Sequence, residues 1–367
     1  MSTYDTNVDA CRGRQRRLLD HMQQQRIDAV IVTQTEHVQW LAGPRFPWLM
    51  QAAAALRVDG HLTLAVPKKP VLEAAADETV TYEAQWHSTL RNDQRHACME
   101  LLEQTVGGKL KGSRIGVEFS SFGRHGNFGE RELIDIEPTL YKLRRRKDAD
   151  ELARIRKAIS GTEKMYERAR EIMRPGITEL EMFNQLQMAA VDEFDEMLTG
   201  TGNDYQCCSR GGPPRAGRAA KAGELYVLDL GPAFRGYFAD NCRTIAVTEP
   251  SDDQREAWGF IMKVFEHVEQ NVKPGKSAQQ LFHEAQAILN EAPIGVFNHH
   301  LGHGIGLFPH EAPHLNPNWD DTFEEGDVFT AEPGLYAPEL QAGMRIENDY
   351  LVTGEGVELL TPFPLHL

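Results

Sequence analysis

Two apolar runs in the second half of this 367-residue chain place carboxylates where a buried strand tolerates few, and this limits the fold more than any other feature. The first is Leu225-Tyr226-Val227-Leu228-Asp229-Leu230-Gly231, which continues through Phe234-Arg235-Gly236 to Asp240-Asn241-Cys242-Arg243-Thr244. The second is Phe329-Thr330-Ala331-Glu332-Pro333-Gly334, followed by Met344-Arg345-Ile346-Glu347-Asn348-Asp349. A hairpin turning at Phe234-Arg235 sets Asp229 directly opposite Asp240, and a turn near Glu339-Leu340 sets Glu332 opposite Glu347. Residues paired in this way hold their Cβ atoms about 4.5–5.5 Å apart on one face, and a bulge shifts the register. Facing like charges destabilise a sheet, and a buried unpaired carboxylate costs several kcal/mol or takes up a proton. Two divalent cations cancel four carboxylates, which is the simplest compensation. In the competing reading one pair forms salt bridges with Arg243 or Arg345 and the other lies on a wet strand face.

A third stretch favours the cations. Asn298-His299-His300-Leu301-Gly302-His303-Gly304-Ile305-Gly306-Leu307, with His310-Glu311 just beyond, sets His299, His303 and His310 around a glycine-rich apolar run. Gly302-x-Gly304-x-Gly306 has neither the dinucleotide spacing nor a following Lys-Ser/Thr, so it is not read as a phosphate loop.

Composition narrows the partners. With 54 acidic and 39 basic residues the net charge is −15, which argues against a duplex-binding protein that neutralises phosphates. Cys11, Cys98, Cys207, Cys208 and Cys242 show no C-x-x-C spacing and read as free, mostly structural thiols in a reducing compartment. The polar stretch Met1 to Gln25 lacks an apolar secretory core, and no window approaches about 18 consecutive apolar residues. The expectation is a soluble, cytoplasmic protein with no nucleic-acid or membrane partner.

Along residues 1–140, helical and strand-like patterns alternate. A helix is expected over about 9–26, with strands at Ala29–Val32, His61–Val66, near Val80 and at Ile115–Val117, which suggests a small α/β domain. His87, His96 and His125 are scattered there without partners. The basic run 142–147 reads as a solvated junction, making 141–147 a linker. A long helix follows to Met173, then one opened by a Thr178/Glu181 capping box and reaching about Met197. A loop over 209–223 precedes the strands, and helices are expected near 252–271 and 278–290.

In order and spacing, Asp229, Asp240, His303, Glu332 and Glu347 resemble the five ligands of the pita-bread metallohydrolases (M24), the family of aminopeptidase P, prolidase and the metal-free creatinase. His303-Gly304-Ile305-Gly306-Leu307, Ala331-Glu332-Pro333-Gly334-Leu335-Tyr336 and Arg345-Ile346-Glu347-Asn348-Asp349 look like the aminopeptidase P and prolidase branch. The resemblance implies a creatinase-like α/β N-terminal domain over 1–140 and an α+β pita-bread catalytic domain over 148–367. It further implies two divalent ions per chain, bridged by Asp240 and Glu347. Asp229 would complete one shell, and His303 with Glu332 the other. Oxygen donors with one imidazole suit Mn, Co, Zn or Fe, with Mn or Zn favoured. Glu332 would handle the proton of the attacking water, His299 and His310 would bind substrate backbone and oxyanion, and Arg345 would orient Glu347 or a substrate carboxylate. His300 lies beside His299 and competes with it for that role. Thr244 would add a hydroxyl, while Tyr237 and Tyr336 read as packing residues. A homodimer is usual in such relatives.

The peptidases of this branch carry a further histidine seventeen residues before the first aspartate; here that position is Gly212. The same loop offers Arg210 and Arg215 as candidate contacts for an anionic substrate group. The leading expectation is an Xaa-Pro aminopeptidase or Xaa-Pro dipeptidase acting through a metal-bridging water. The alternatives are a non-peptide C–N hydrolase of a small metabolite, creatinase-like, and an inactive scaffold.

Overall fold

The computed structural model describes residues 3–46, 49–68, 73–110, 114–121, 129–202 and 204–367; His125 lies outside them. The chain divides into two compact units, Met1–Arg144 and Arg145–Leu367. The first is α/β. Its six-stranded sheet runs in the order Glu78–Tyr82, Leu62–Pro67, Ala53–Arg57, Ala29–Val32, Arg114–Val117, Glu132–Asp135. Ala29–Val32 pairs antiparallel with Ala53–Arg57 and parallel with Arg114–Val117. Both of its faces are buried, which accounts for the unbroken Ala-Val-Ile-Val run. Against one face the Gln94–Val106 helix packs Ala97, Cys98, Met99, Leu102 and Val106.

A buried carboxylate ties this sheet to the next helix. Glu118, one residue past Arg114–Val117, accepts from the Thr33 N–H at 2.7 Å, the Thr33 hydroxyl at 2.8 Å and the Ser121 hydroxyl at 2.8 Å. It lies 2.6 Å from His37 Nδ1, on the Thr35–Ala42 helix. Burial alone would push the Glu118 carboxyl up, but His37 and these donors outweigh it and hold it below the usual range.

The second unit carries the long helices Ala149–Ile172 and Glu179–Phe194, then Asp252–Asn271 and Ala278–Leu289. Asp148 and Glu151 form a capping box on the first. Thr178 caps the second by accepting from the Glu181 N–H at 3.0 Å. The Glu181 carboxylate pairs with Arg174 at 2.8 Å, so the reciprocal half of the expected box gives way to an ion pair, and this helix ends at Phe194. A three-stranded sheet has Leu225–Leu230 between Asn241–Ala246 and Asp204–Cys207. A five-stranded sheet runs Glu311–Leu315, Gly302–Gly304, Val328–Ala331, Asn348–Val352, Val357–Leu359. The two meet where the Glu347 N–H donates to the Cys242 carbonyl at 2.9 Å and Thr244 Oγ1 donates to the Arg345 carbonyl at 2.8 Å.

The boundary between the two units falls within the basic run, but the run is only partly solvated: Lys142 and Arg146 are exposed, whereas Arg144, Arg145 and Lys147 are buried. A helix spans Glu137–Arg145, Arg145 is buried against Asp327 at 2.6 Å, and Lys147 is buried against Glu311 at 3.1 Å. Buried carboxylates far along the chain stabilise charges that locally read as exposed. None of the five cysteines forms a disulfide, and four of them are buried. Among the described residues no helix is long and apolar enough to cross a membrane.

Candidate active site

Turn chemistry sets the first hairpin. Arg235 and Gly236 both have positive φ, 48° and 89°, between the pairs Phe234↔Tyr237 and Ala233↔Phe238. A two-residue turn with left-handed φ at both centres is a type I′ turn, which glycine favours at its second position and which a turn centred on Phe234 would not suit. The same register continues to Leu230↔Asn241 and Asp229↔Cys242. Asp229 is therefore not directly opposite Asp240, as a turn centred on Phe234-Arg235 would require. Asp240 falls across from Gly231, one diagonal step from Asp229 on the same face, where a Cβ on Gly231 would lie 3.5 Å from Asp240 Oδ1. The second hairpin pairs Thr330↔Asp349, Ala331↔Asn348 and Gly334↔Arg345 in one constant register, which sets Glu332 opposite Glu347.

His303 enters from the short Gly302–Gly304 strand, beside Val328–Ala331, and the Glu332 N–H donates to the Leu301 carbonyl at 2.7 Å. Asp229 and His303, on strands, then converge with Asp240, Glu332 and Glu347, each beside a strand end. His303, Glu332 and Glu347 bring ligand-type atoms within 4.8 Å of one another, as do Asp229, Asp240 and Glu347. Glu347 belongs to both groups. Asp240 also lies 3.8 Å from His303, and the groups line a cavity of about 580 Å³.

The electrostatics of this cluster call for cations. Burial, then repulsion from neighbouring carboxylates, pushes Asp240 and Glu347 well above the usual range. Burial raises Asp229 as well, against the pull of Arg345. Burial also pushes Glu332 up, but His300, whose Nε2 lies 2.8 Å from it, leads the partners that hold it at about 2. Burial drops His303 to about 3, leaving a neutral imidazole with a lone pair to give. Glu347 Oε2 is buried with no hydrogen-bond partner. A buried carboxylate that belongs to two ligand groups and carries a partnerless oxygen fits a pair of divalent ions, with oxygen donors and one nitrogen around them.

His300 and His299 both line the cavity, and each brings a ring nitrogen within 4.8 Å of Glu332, His300 the closer at 2.8 Å. His299 Nδ1 lies 2.7 Å from the His300 carbonyl and its Nε2 3.0 Å from the Tyr336 hydroxyl. Tyr336 is thus a polar member of the cavity wall as well as a packing residue. His310 stacks on His303 with ring centroids 3.7 Å apart. Arg345 reaches Asp229 at 2.7 Å and Asp204 still closer, rather than orienting Glu347, and its Nε lies 3.8 Å from Glu332. Asp204 was absent from the expected set. It faces Asp229 directly across the sheet, on a four-residue strand too short to show a period in the sequence, and Arg345 bridges the two carboxylates.

Gly212 occupies the place of the additional histidine. Its N–H donates to Asp204 Oδ1 at 2.7 Å, and a Cβ on neighbouring Gly211, φ 135°, would fall 2.0 Å from Asp204 Oδ2. Backbone therefore wraps this carboxylate where a side chain would otherwise stand. Of the two loop arginines, Arg210 lines the cavity. Arg215 does not: its guanidinium binds the buried Glu179 at 2.6 Å and the Cys207 carbonyl at 2.7 Å, fastening the loop to the Glu179–Phe194 helix.

Comparison with known proteins agrees with this geometry. Residues 153–354 match the model of metallopeptidase family M24, and residues 14–146 match the creatinase/prolidase N-terminal domain. An uncharacterized peptidase of Staphylococcus aureus (strain MW2) is 31% identical over 95% of this chain and 98% of its own length. The X-Pro aminopeptidase of Thermotoga maritima MSB8 superposes with a TM-score of 0.79 at 25% identity, over 96% of this chain and 98% of that one. The prolidase of Pyrococcus horikoshii OT3 shares the fold, with a TM-score of 0.79 at 24% identity over 97% and 99% of the two chains. The chain is an enzyme of metallopeptidase family M24, whose peptidases depend on a dinuclear metal centre, and it carries a creatinase/prolidase-type N-terminal domain.

Proposed function

We propose that this peptidase hydrolyses the bond preceding proline in short Xaa-Pro substrates, with Asp229, Asp240, His303, Glu332 and Glu347 holding two divalent ions, Mn or Zn foremost. The observation that carries the reading is the sharing of Glu347 between two ligand groups. When bound, such ions polarise a carbonyl and make water acidic near neutrality. The chain's own residues do the rest. Glu332, kept ionised by His300, is placed to accept the proton of the attacking water. Arg345 fixes Asp229 from behind, and His310 backs His303. The prolyl preference is supported by the X-Pro aminopeptidase and prolidase that share this fold.

Gly212 at the place of a histidine favours one second reading, a hydrolase of small non-peptide amides. Metal-loaded protein assayed with Ala-Pro, Ala-Pro-Ala and Ala-Gly separates the two. The proposal predicts turnover of one or both prolyl peptides and much slower turnover of Ala-Gly, with Asp240→Asn reducing activity to background. Full metal loading with no turnover of any of the three peptides would overturn it.

A further inference from the structure

A second cavity, of about 150 Å³, lies wholly within the first unit, and the peptidase reading makes no use of it. Its position follows from the sheet. The strand order turns back at Ala29–Val32, which pairs with its chain successor Ala53–Arg57 on one side and with Arg114–Val117 on the other. Open α/β sheets bind ligands outside the carboxyl ends of their strands at such a reversal. Thr33 and Ser121, beyond the ends of Ala29–Val32 and Arg114–Val117, line the cavity. Its room follows from side-chain bulk. Arg95, Cys98 and Met99 share one face of the Gln94–Val106 helix, and the sheet contributes Ala53 and its neighbour Ala52, whose methyls fill little space.

Three chemistries meet in the lining. Arg95 is an exposed guanidinium with no ion pair or hydrogen bond among the described residues. The Thr33 and Ser121 hydroxyls each give their proton to Glu118 at 2.8 Å, so toward a ligand their oxygens accept. Glu36 adds a carboxylate that Arg45 holds only loosely, at 3.5 Å. Ala53, Cys98 and Met99 are buried and apolar. A donor for an anion, acceptors for an ammonium and an apolar wall together describe a zwitterion with a hydrocarbon side chain. A cavity of this size holds a molecule of roughly benzene's bulk, which excludes a nucleotide. We infer that the first unit binds one free apolar amino acid, its carboxylate on Arg95 and its ammonium on the Thr33 and Ser121 oxygens. Free amino acids are what a peptidase releases, yet the assignment stands on this cavity and not on the prolyl reading.

L-valine and its two truncations test it: 3-methylbutanoate, which lacks the ammonium, and isobutylamine, which lacks the carboxylate. Each is titrated into the metal-loaded full chain and followed by ligand-observed NMR. Valine is expected to bind with Kd on the order of 1 mM, since a ligand this small supports little more. Each truncation is expected to bind at least about tenfold more weakly. Arg95→Ala should weaken valine by about the same factor, whereas Asp240→Asn, in the catalytic cluster, should leave its affinity unchanged. Arg95→Gln serves in place of the alanine variant should that fail to fold. No valine binding, a truncation that binds as tightly as valine, or full affinity without the arginine overturns the assignment. Valine affinity that falls in Asp240→Asn puts the amino acid at the catalytic cluster and overturns it equally.

Discussion

His300, 2.8 Å from Glu332, leads the groups that hold this carboxyl below its ordinary range against burial, with His303 and Arg345 adding to it. Removing that contact leaves the five ligand-type residues intact and should disturb only the carboxylate that handles the proton. His300→Ala is therefore expected to lower kcat/KM by roughly ten- to a hundredfold while metal content holds, as replacements just outside a metal's ligands do. Steady-state kinetics beside metal analysis checks it, and unchanged kinetics would assign the role elsewhere. Adjacent histidines explain why this residue was hard to pick from sequence. Spacing gives His299 and His300 equal claims; both line the cavity, with His300 against Glu332 and His299 bonded to Tyr336. Asp204 gave less signal still, since its meaning lies in facing Asp229 across a sheet whose register no local pattern reveals.

The elements followed their sequence signals where burial is periodic or continuous. The Ala29–Val32 strand and the Asp252–Asn271 helix lie where their patterns placed them. Register was legible only where the turn was. Counting from the second turn set Glu332 against Glu347, whereas the first count was centred one residue early because it overlooked that Gly236 takes the second left-handed position. The two-residue slip kept Asp229 and Asp240 on one face, so the chemistry survived the error. In the first unit, Glu118 clamps the start of the Thr35–Ala42 helix. Glu118→Ala leaves the Thr33 N–H and His37 without their carboxylate and should cost about 3 kcal/mol at neutral pH. Because folding depresses this carboxyl below its ordinary 4.5, its contribution is present above that pH and is lost as pH falls through the folded value. Urea denaturation at pH 7 and under acid should show the unaltered chain losing stability more steeply than Glu118→Ala; parallel losses would exclude the clamp.

Across the whole molecule, a net charge of −15 accompanies a buried concentration of carboxylates that the chain's own cations only partly offset. Long-range ion pairs settle other charges. Arg145 and Lys147 find Asp327 and Glu311 more than 160 positions away, which is why a run of basic residues read as solvent-facing. At the carboxylate cluster, divalent ions that bind only the folded state must raise Tm, and the rise grows with the logarithm of free ion concentration above Kd. Counting those ions is the most direct measurement: dialysis against Mn or Zn, then elemental analysis per chain. The account predicts about two ions for the unaltered protein and fewer than one for Glu347→Ala, since Glu347 serves both ligand groups. An unaltered, folded protein holding none, or a Glu347→Ala variant still holding two, would contradict it.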